Sequence, residues 1–306
     1  MGREQEELRA LVTGELTTPV QPEVAAFAAH LATVLPSTNA VLFYGSCLRE
    51  ARLDGLMLDF YVIVDSYETA YRGDWRAKAN RLIPPNVFQI AHAGLRAKYA
   101  VLDSADFARL CSAATRNPSV WARFAQPSRQ AWVRDEVACE ASIAAVCGAA
   151  PALLAASAPM LPANLTVEQL WTGAFALTFS AELRTERQGR GISLVAADPA
   201  RYAAFTGPAL AAARVPVGRS GDDLALSIGR SGASVAWRRR RIEGKLLSVA
   251  RLAKAVFTFD GGLDYLAWKI ERHSGVSVLV KPWQRRWPLL GGLFLLPKLL
   301  ASGAVR

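Results

Sequence analysis

Between Val41 and Asp65 the chain reads VLFYGSCLREARLDGLMLDFYVIVD: an apolar run that stops at Gly45-Ser46, then a second apolar run carrying one carboxylate, Asp59. The second run alternates. Leu58, Phe60, Val62 and Val64 fall on one face and Met57, Asp59, Tyr61, Ile63 and Asp65 on the other, which predicts a strand. An ionised carboxylate among such neighbours needs a partner, and a metal ion is the natural one. Gly45 allows the backbone to approach phosphate oxygens closely. Ser46, at the start of a following helix, adds donors where the helix dipole favours anions. The pattern therefore predicts a phosphate site with Asp59 as the ligand of a bridging Mg²⁺, although on two residues alone an ordinary turn and strand-end Asp reads the same way.

Hydrophobic periodicity predicts an amphipathic helix from Pro22 to Leu35, a strand from Ala40 to Tyr44 and, after the Asp59 strand, a helix from Thr69 to Leu82. A Pro84-Pro85 break and two strands near Val87 to Ile90 and Ala97 to Leu102 follow. The fold class expected is α/β (α+β), a mixed sheet flanked by helices. From Ser104 a helical region runs with interruptions to about Ala158, and Thr166 before Val-Glu-Gln-Leu-Trp is a capped helix start. Ala225 to Ser231 is strand-like.

Lys and Arg outnumber Asp and Glu by 36 to 26, a net charge of +10, which calls for an anionic partner: nucleotide, nucleic acid or lipid headgroups. Cys47, Cys111, Cys139 and Cys147 show no C-x-x-C spacing and His is limited to His30, His92 and His273, so neither zinc nor a disulfide framework is expected. The first residues carry acids and no early apolar block, so no signal peptide is expected, and Gly2 lacks the hydroxyl residue of a myristoylation signal. Arg238 to Arg241 form a basic run without a nucleic-acid recognition signature. Near the end, Trp283 and Trp287 bracket Gln284-Arg285-Arg286, and Leu289 to Leu300 is apolar apart from Lys298. Twelve residues reach about 18 Å as helix, too short to span a bilayer, so the tail is expected to lie at an anionic lipid surface or to pack on the protein's own core.

Taken in order, Tyr44-Gly45-Ser46, Met57-Leu58-Asp59-Phe60 with Val64-Asp65, Lys98-Tyr99, Ser180-Ala181-Glu182-Leu183-Arg184 and Lys254-Ala255-Val256-Phe257-Thr258 resemble the mitochondrial-type CDP-diacylglycerol synthases, the translocator assembly and maintenance family. The chain departs from that family where Glu182 and Ala181 replace an Asp and a Gly, and where residues 80 to 87 replace a longer His-containing segment. The resemblance implies a bacterial relative with a nucleotidyltransferase-like domain and helical extension at 1–158, a helical, winged-helix-like unit at 159–255 and a basic amphipathic membrane-association segment at 256–306. It implies Mg²⁺-dependent transfer from CTP to phosphatidate or a related acidic lipid, by a protein that is cytoplasmic and peripheral on the inner face of the cell membrane. No nucleic acid partner is expected.

In that reading Asp59, Glu182 and Lys98 are catalytic, with Asp59 and Glu182 as metal ligands. Tyr44, Gly45, Ser46, Arg81, Asn86 and Arg184 bind nucleotide or phosphate. The Asp59 strand supplies one acid where two metals need more. Glu182 is the first choice for the second acid, against an ordinary surface pair with Arg184 or Arg187, and Asp103 is the runner-up; Asp65 reads as a strand terminator. Two rival functions stand beside this one: nucleotide transfer to tRNA or a small molecule, and a lipid-surface adaptor without catalysis.

Overall fold

A computed structural model describes residues 2–50, 53, 56–182, 190–221, 223–258 and 282. Helices α1 (Arg3–Leu16) and α2 (Pro22–Val34) lead into β1 (Thr38–Tyr44), which ends at the Gly45 turn and the short helix α3 (Ser46–Glu50). There follow β2 (Met57–Val64), α4 (Tyr67–Ala70), α5 (Trp75–Leu82), the hairpin β3 (Asn86–His92) and β4 (Leu95–Asp103), α6 (Ser104–Leu110), α7 (Trp121–Phe124) and β5 (Ser128–Val133). The five strands form one mixed sheet in the order β3-β4-β2-β1-β5, in which only β2 and β4 run parallel.

The alternation of β2 divides the core in two. Leu58, Phe60, Val62 and Val64 pack with Phe27 and Leu31 of α2 on one face. Tyr61 and Ile63 face the other, larger cluster, with Phe107, Trp121 and Phe124. Asp59, between Leu58 and Phe60, therefore points to the side of the larger cluster.

Two elements differ from expectation. The helix expected over Thr69 to Leu82 is broken, because Arg72 and Gly73 adopt left-handed φ of 51° and 73°, and Asp74 then caps α5 by accepting from the Arg76 amide. The region read as helical from Ser104 contains β5, an edge strand paired to β1 whose residues after Ser128 are only half-buried.

The chain continues through α8 (Glu136–Cys147), α9 (Ala149–Ser157), β6 (Asn164–Leu165), α10 (Val167–Ser180), α11 (Arg190–Ala196), α12 (Pro199–Ala212), the hairpin β7 (Val217–Ser220) and β8 (Asp223–Leu226), and the long helix α13 (Ala233–Thr258). Thr166 and Gln169 form the capping box that starts α10. The small strands join in the order β6-β8-β7, so the strand expected from Ala225 to Ser231 lies earlier, as half of a hairpin. The run Glu136–Met160 is long and apolar enough to cross a bilayer, but 56% of its most apolar window is buried inside the molecule, and it supplies Ile143, Val146, Leu153 and Leu154 to the core.

No break in packing falls at the boundary expected between 158 and 159. The larger core cluster runs from Leu8 of α1 to Trp237 of α13. A buried ion pair from Glu15 of α1 to Arg201 of α12 ties the first helix to the later unit. Trp237 is fully buried and its indole N–H donates to Ala156 O at 2.7 Å. Gly244 lies so close to the Ala181 carbonyl that a Cβ there would be far inside van der Waals contact. The helix α13 is thereby pressed onto the C-terminus of α10, beside Glu182.

Candidate active site

Across the sheet the strands align Ser128, Tyr44, Asp59, Lys98 and Gln89 in one row, each paired with the next. Paired residues share a face, so these side chains stand side by side. The Lys98 ammonium lies 2.8 Å from Asp59 Oδ1. On the other flank is Gly45 with φ +98°, where a built Cβ would fall 2.7 Å from Asp59 Oδ2. The bare Gly45 is thus required twice, by its backbone conformation and by the carboxylate lying over it. Gly45→Ala is expected to destabilise the protein by about 2 kcal/mol and to push Asp59 out of place. Thermal melting checks the first effect and a structure of the variant the second, and an unchanged variant would contradict the contact.

A second group of charges adjoins the row. Arg123 of α7 donates to Glu182 Oε1 at 3.2 Å and to the Ser119 carbonyl, with only 25% of the Arg123 side chain and 11% of the Glu182 side chain exposed. Burial alone would lower the Arg123 pKa. The Glu182 carboxylate, followed by Tyr61, Tyr44 and Asp59, more than offsets this and holds the guanidinium charged above its ordinary range. Arg123 is therefore the electrostatic link between the two acids. Arg251 of α13 donates to Pro84 O at 2.8 Å and to Ser119 Oγ at 3.0 Å. Burial lowers its pKa, the neighbouring Arg123 charge acts in the same direction, and Tyr61 and Glu182 oppose the shift.

One turn further along the helix, Lys254 donates to the carbonyls of Ile83 and Pro85, the latter at 2.9 Å. Burial, and then the Arg251 charge, pull its pKa down to about 7. The sign follows from proton counting. Between pH 7 and the ordinary Lys range the unfolded chain binds the proton that the folded chain has released, so this group makes stability rise with pH across that window. Relative to Lys254→Met, the wild-type protein is expected to gain melting temperature from pH 7 to pH 10. A difference between the two that is flat with pH would overturn the assignment.

The structure brings Tyr44, Gly45, Asp59 and Lys98 together and sets Glu182 next to them through Arg123. Other expected residues lie elsewhere. The Asp103 carboxylate caps α6 by accepting from the Asp106 amide, and Asp103 is paired with Val64, about 17 Å along the strand from Asp59. Arg81 bonds Glu68 near that distant end. Asn86 is fully buried, with its amide N–H on Asn80 Oδ1 and its side chain on Arg76 O, so it serves the fold rather than a ligand. Asp65 pairs with Arg134, as a strand terminator can. Ser46 opens α3, but that helix has five residues, so its dipole adds little to anion binding. Tyr44 packs its ring on Tyr61 and Phe124. Arg184, and the expected membrane-association segment at 256–306 apart from 256–258 at the end of α13 and Pro282, lie outside the described residues.

Magnesium commonly takes one or two protein carboxylates and completes its shell with water and substrate phosphates. Asp59 fits that donor set as a single carboxylate beside the partly exposed Lys98 ammonium, 2.8 Å away. Glu182, expected as a second ligand, does not fit, because withdrawing it would leave the enclosed Arg123 guanidinium without its counterion. Among the described residues no group of three or more His, Cys, Asp or Glu could hold a metal by itself.

Sequence reasoning missed Arg123 and Arg251 and gave Lys254 no role. Arg123 lies in a four-residue helix with no motif around it, and its partner is 59 positions away. For Arg251 and Lys254 the signal was present in the basic composition after Trp237, but not the face on which they fall. No family model matches the chain, and no curated protein matches it.

Proposed function

We propose that the chain is a Mg²⁺-dependent cytidylyltransferase that transfers CMP from CTP to phosphatidate or a related acidic lipid and releases pyrophosphate. The observation that carries the proposal is the contiguity of Gly45, Asp59 and Lys98 across three neighbouring segments of the sheet. One carboxylate beside one cation, under a backbone turn without a side chain, suits a triphosphate with its metal. The choice of CTP and of a lipid acceptor rests on the resemblance of the motifs.

The chain's own groups would divide the work. Asp59 would hold the Mg²⁺, which supplies neutralisation of charge on the phosphate oxygens. Lys98 would leave Asp59 and bind a phosphate oxygen as a point charge. Arg123 and Arg251 add a positive field behind the row, and Glu182 fixes Arg123 in place. An acceptor phosphate oxygen would attack the α-phosphorus of CTP, forming one P–O bond while the bond to the β-phosphate breaks and pyrophosphate leaves with the electron pair. A phosphate monoester is already ionised at neutral pH, so no strong general base is required. That suits a row that holds no histidine.

The test is incubation with each nucleoside triphosphate labelled at the α-phosphate, Mg²⁺ and phosphatidate vesicles. A labelled CDP-lipid is the expected product. Label carried instead into tRNA or a soluble acceptor would move the proposal to another acceptor, and no transfer at all would refute it.

A further inference from the structure

The outer face of α13 carries an apolar stripe. Val235, Ile242, Leu246 and Val249 are 70%, 53%, 66% and 38% exposed. At 100° per residue they fall within an arc of about 60°, over a length of about 21 Å. Exposed Arg238 and Lys245 lie along one flank of the stripe, with exposed Arg241 beyond them, and exposed Arg239 lies along the other. Glu243, the one acid of this segment, is held by Arg239 at 2.6 Å. The opposite side of the helix holds it to the protein through buried Trp237 and the close contact of Gly244 with Ala181. The stripe is therefore not a core face turned outward by a loose helix.

We infer that this face of α13 docks on an anionic lipid surface. Charge decides between the possible occupants. A second copy of the chain, placed on the stripe in either direction, would bring the Arg238, Arg239, Arg241 and Lys245 cluster against its own twin, and like charges at such distances repel. Nucleic acid would use the cations but leaves exposed Ile242 and Leu246 without a role. A membrane interface uses both, with aliphatic side chains below the headgroups and basic side chains at headgroup depth. The inference does not depend on the nucleotidyl transfer reading. If both hold, α13 presents its outer face to the lipid and its inner residue Arg251 to the charges beside the candidate site.

The test uses the full chain with phosphatidylcholine vesicles, with or without phosphatidylserine, and measures the bound fraction by flotation. Wild-type protein is expected to bind the anionic vesicles and to be released only in part by high salt. Ile242→Glu with Leu246→Glu should lower the partition coefficient by about tenfold or more. Arg238→Gln with Lys245→Gln should lower it by about tenfold on anionic vesicles and leave neutral vesicles unaffected. All four positions are exposed, and unchanged melting temperatures would show that the variants fold. Wild-type partitioning by the folded Ile242/Leu246 variant would overturn the inference. So would a wild-type dimer that dissociates in this variant while vesicles remain unbound, since the face would then belong to a second copy.

Discussion

Asp59→Asn is expected to lower nucleotide transfer by about 10³-fold or more while the protein remains folded. The two effects separate by magnitude. The lost ion pair with Lys98 is partly exposed, with 38% of the Lys98 side chain accessible, and such pairs contribute about 1 kcal/mol or less to stability. The same substitution removes the carboxylate proposed to hold Mg²⁺, and Asn keeps the volume over Gly45. Pyrophosphate release at saturating Mg²⁺, measured beside thermal melting, reads both quantities. Turnover near that of the wild type would remove Asp59 from the mechanism.

Glu182→Gln is expected to act in the other way, chiefly on stability. Arg123 is mostly enclosed and receives its charge compensation first from Glu182. Removing one partner of a mostly buried pair leaves the other charge in a poorly solvated place, and the remaining exposure together with the acceptor retained in Gln moderates the loss to about 2 to 3 kcal/mol. A fall in melting temperature of roughly 5 °C follows for a chain of this size. Activity should drop as Arg123 shifts, but the Mg²⁺ concentration for half-maximal rate should stay close to that of the wild type. A stable variant with a strongly altered Mg²⁺ dependence would return Glu182 to the role of metal ligand.

Much of the sheet was legible because its signal is local. The period-two alternation of β2 put Leu58 and Phe60 on one face and Asp59 and Tyr61 on the other, and the structure packs a separate cluster against each face. Where the signal was weaker, tertiary contacts decided. Arg129 to Val133 of β5 bury little on either side, so the sequence carries no strong alternation there, and pairing with β1 makes the strand. The break between α4 and α5 turns on the left-handed φ of Arg72, a conformation that an arginine does not announce.

The site was legible only in part, for a related reason. Gly45 and Asp59 stand close in sequence, and Gly45 directly follows the strand paired with that of Asp59, so a turn and an alternation were enough to find them. Arg123 and Arg251 adjoin the site only because α7 and α13 pack beside it, which no spacing encodes. Asn86 was expected to bind nucleotide or phosphate. Its burial reflects a backbone need instead: the first amide of β3 finds its acceptor in Asn80, and the Asn80 side chain in turn donates to Val101 O.

The most direct measurement is a calorimetric titration of CTP into the wild-type protein, with Mg²⁺ and with Mg²⁺ removed by chelator. If Gly45, Asp59 and Lys98 form a triphosphate site with one protein carboxylate for the metal, one CTP binds per chain and chelation weakens it by about tenfold or more. CTP binding equally well without divalent metal, or not at all, would contradict the account.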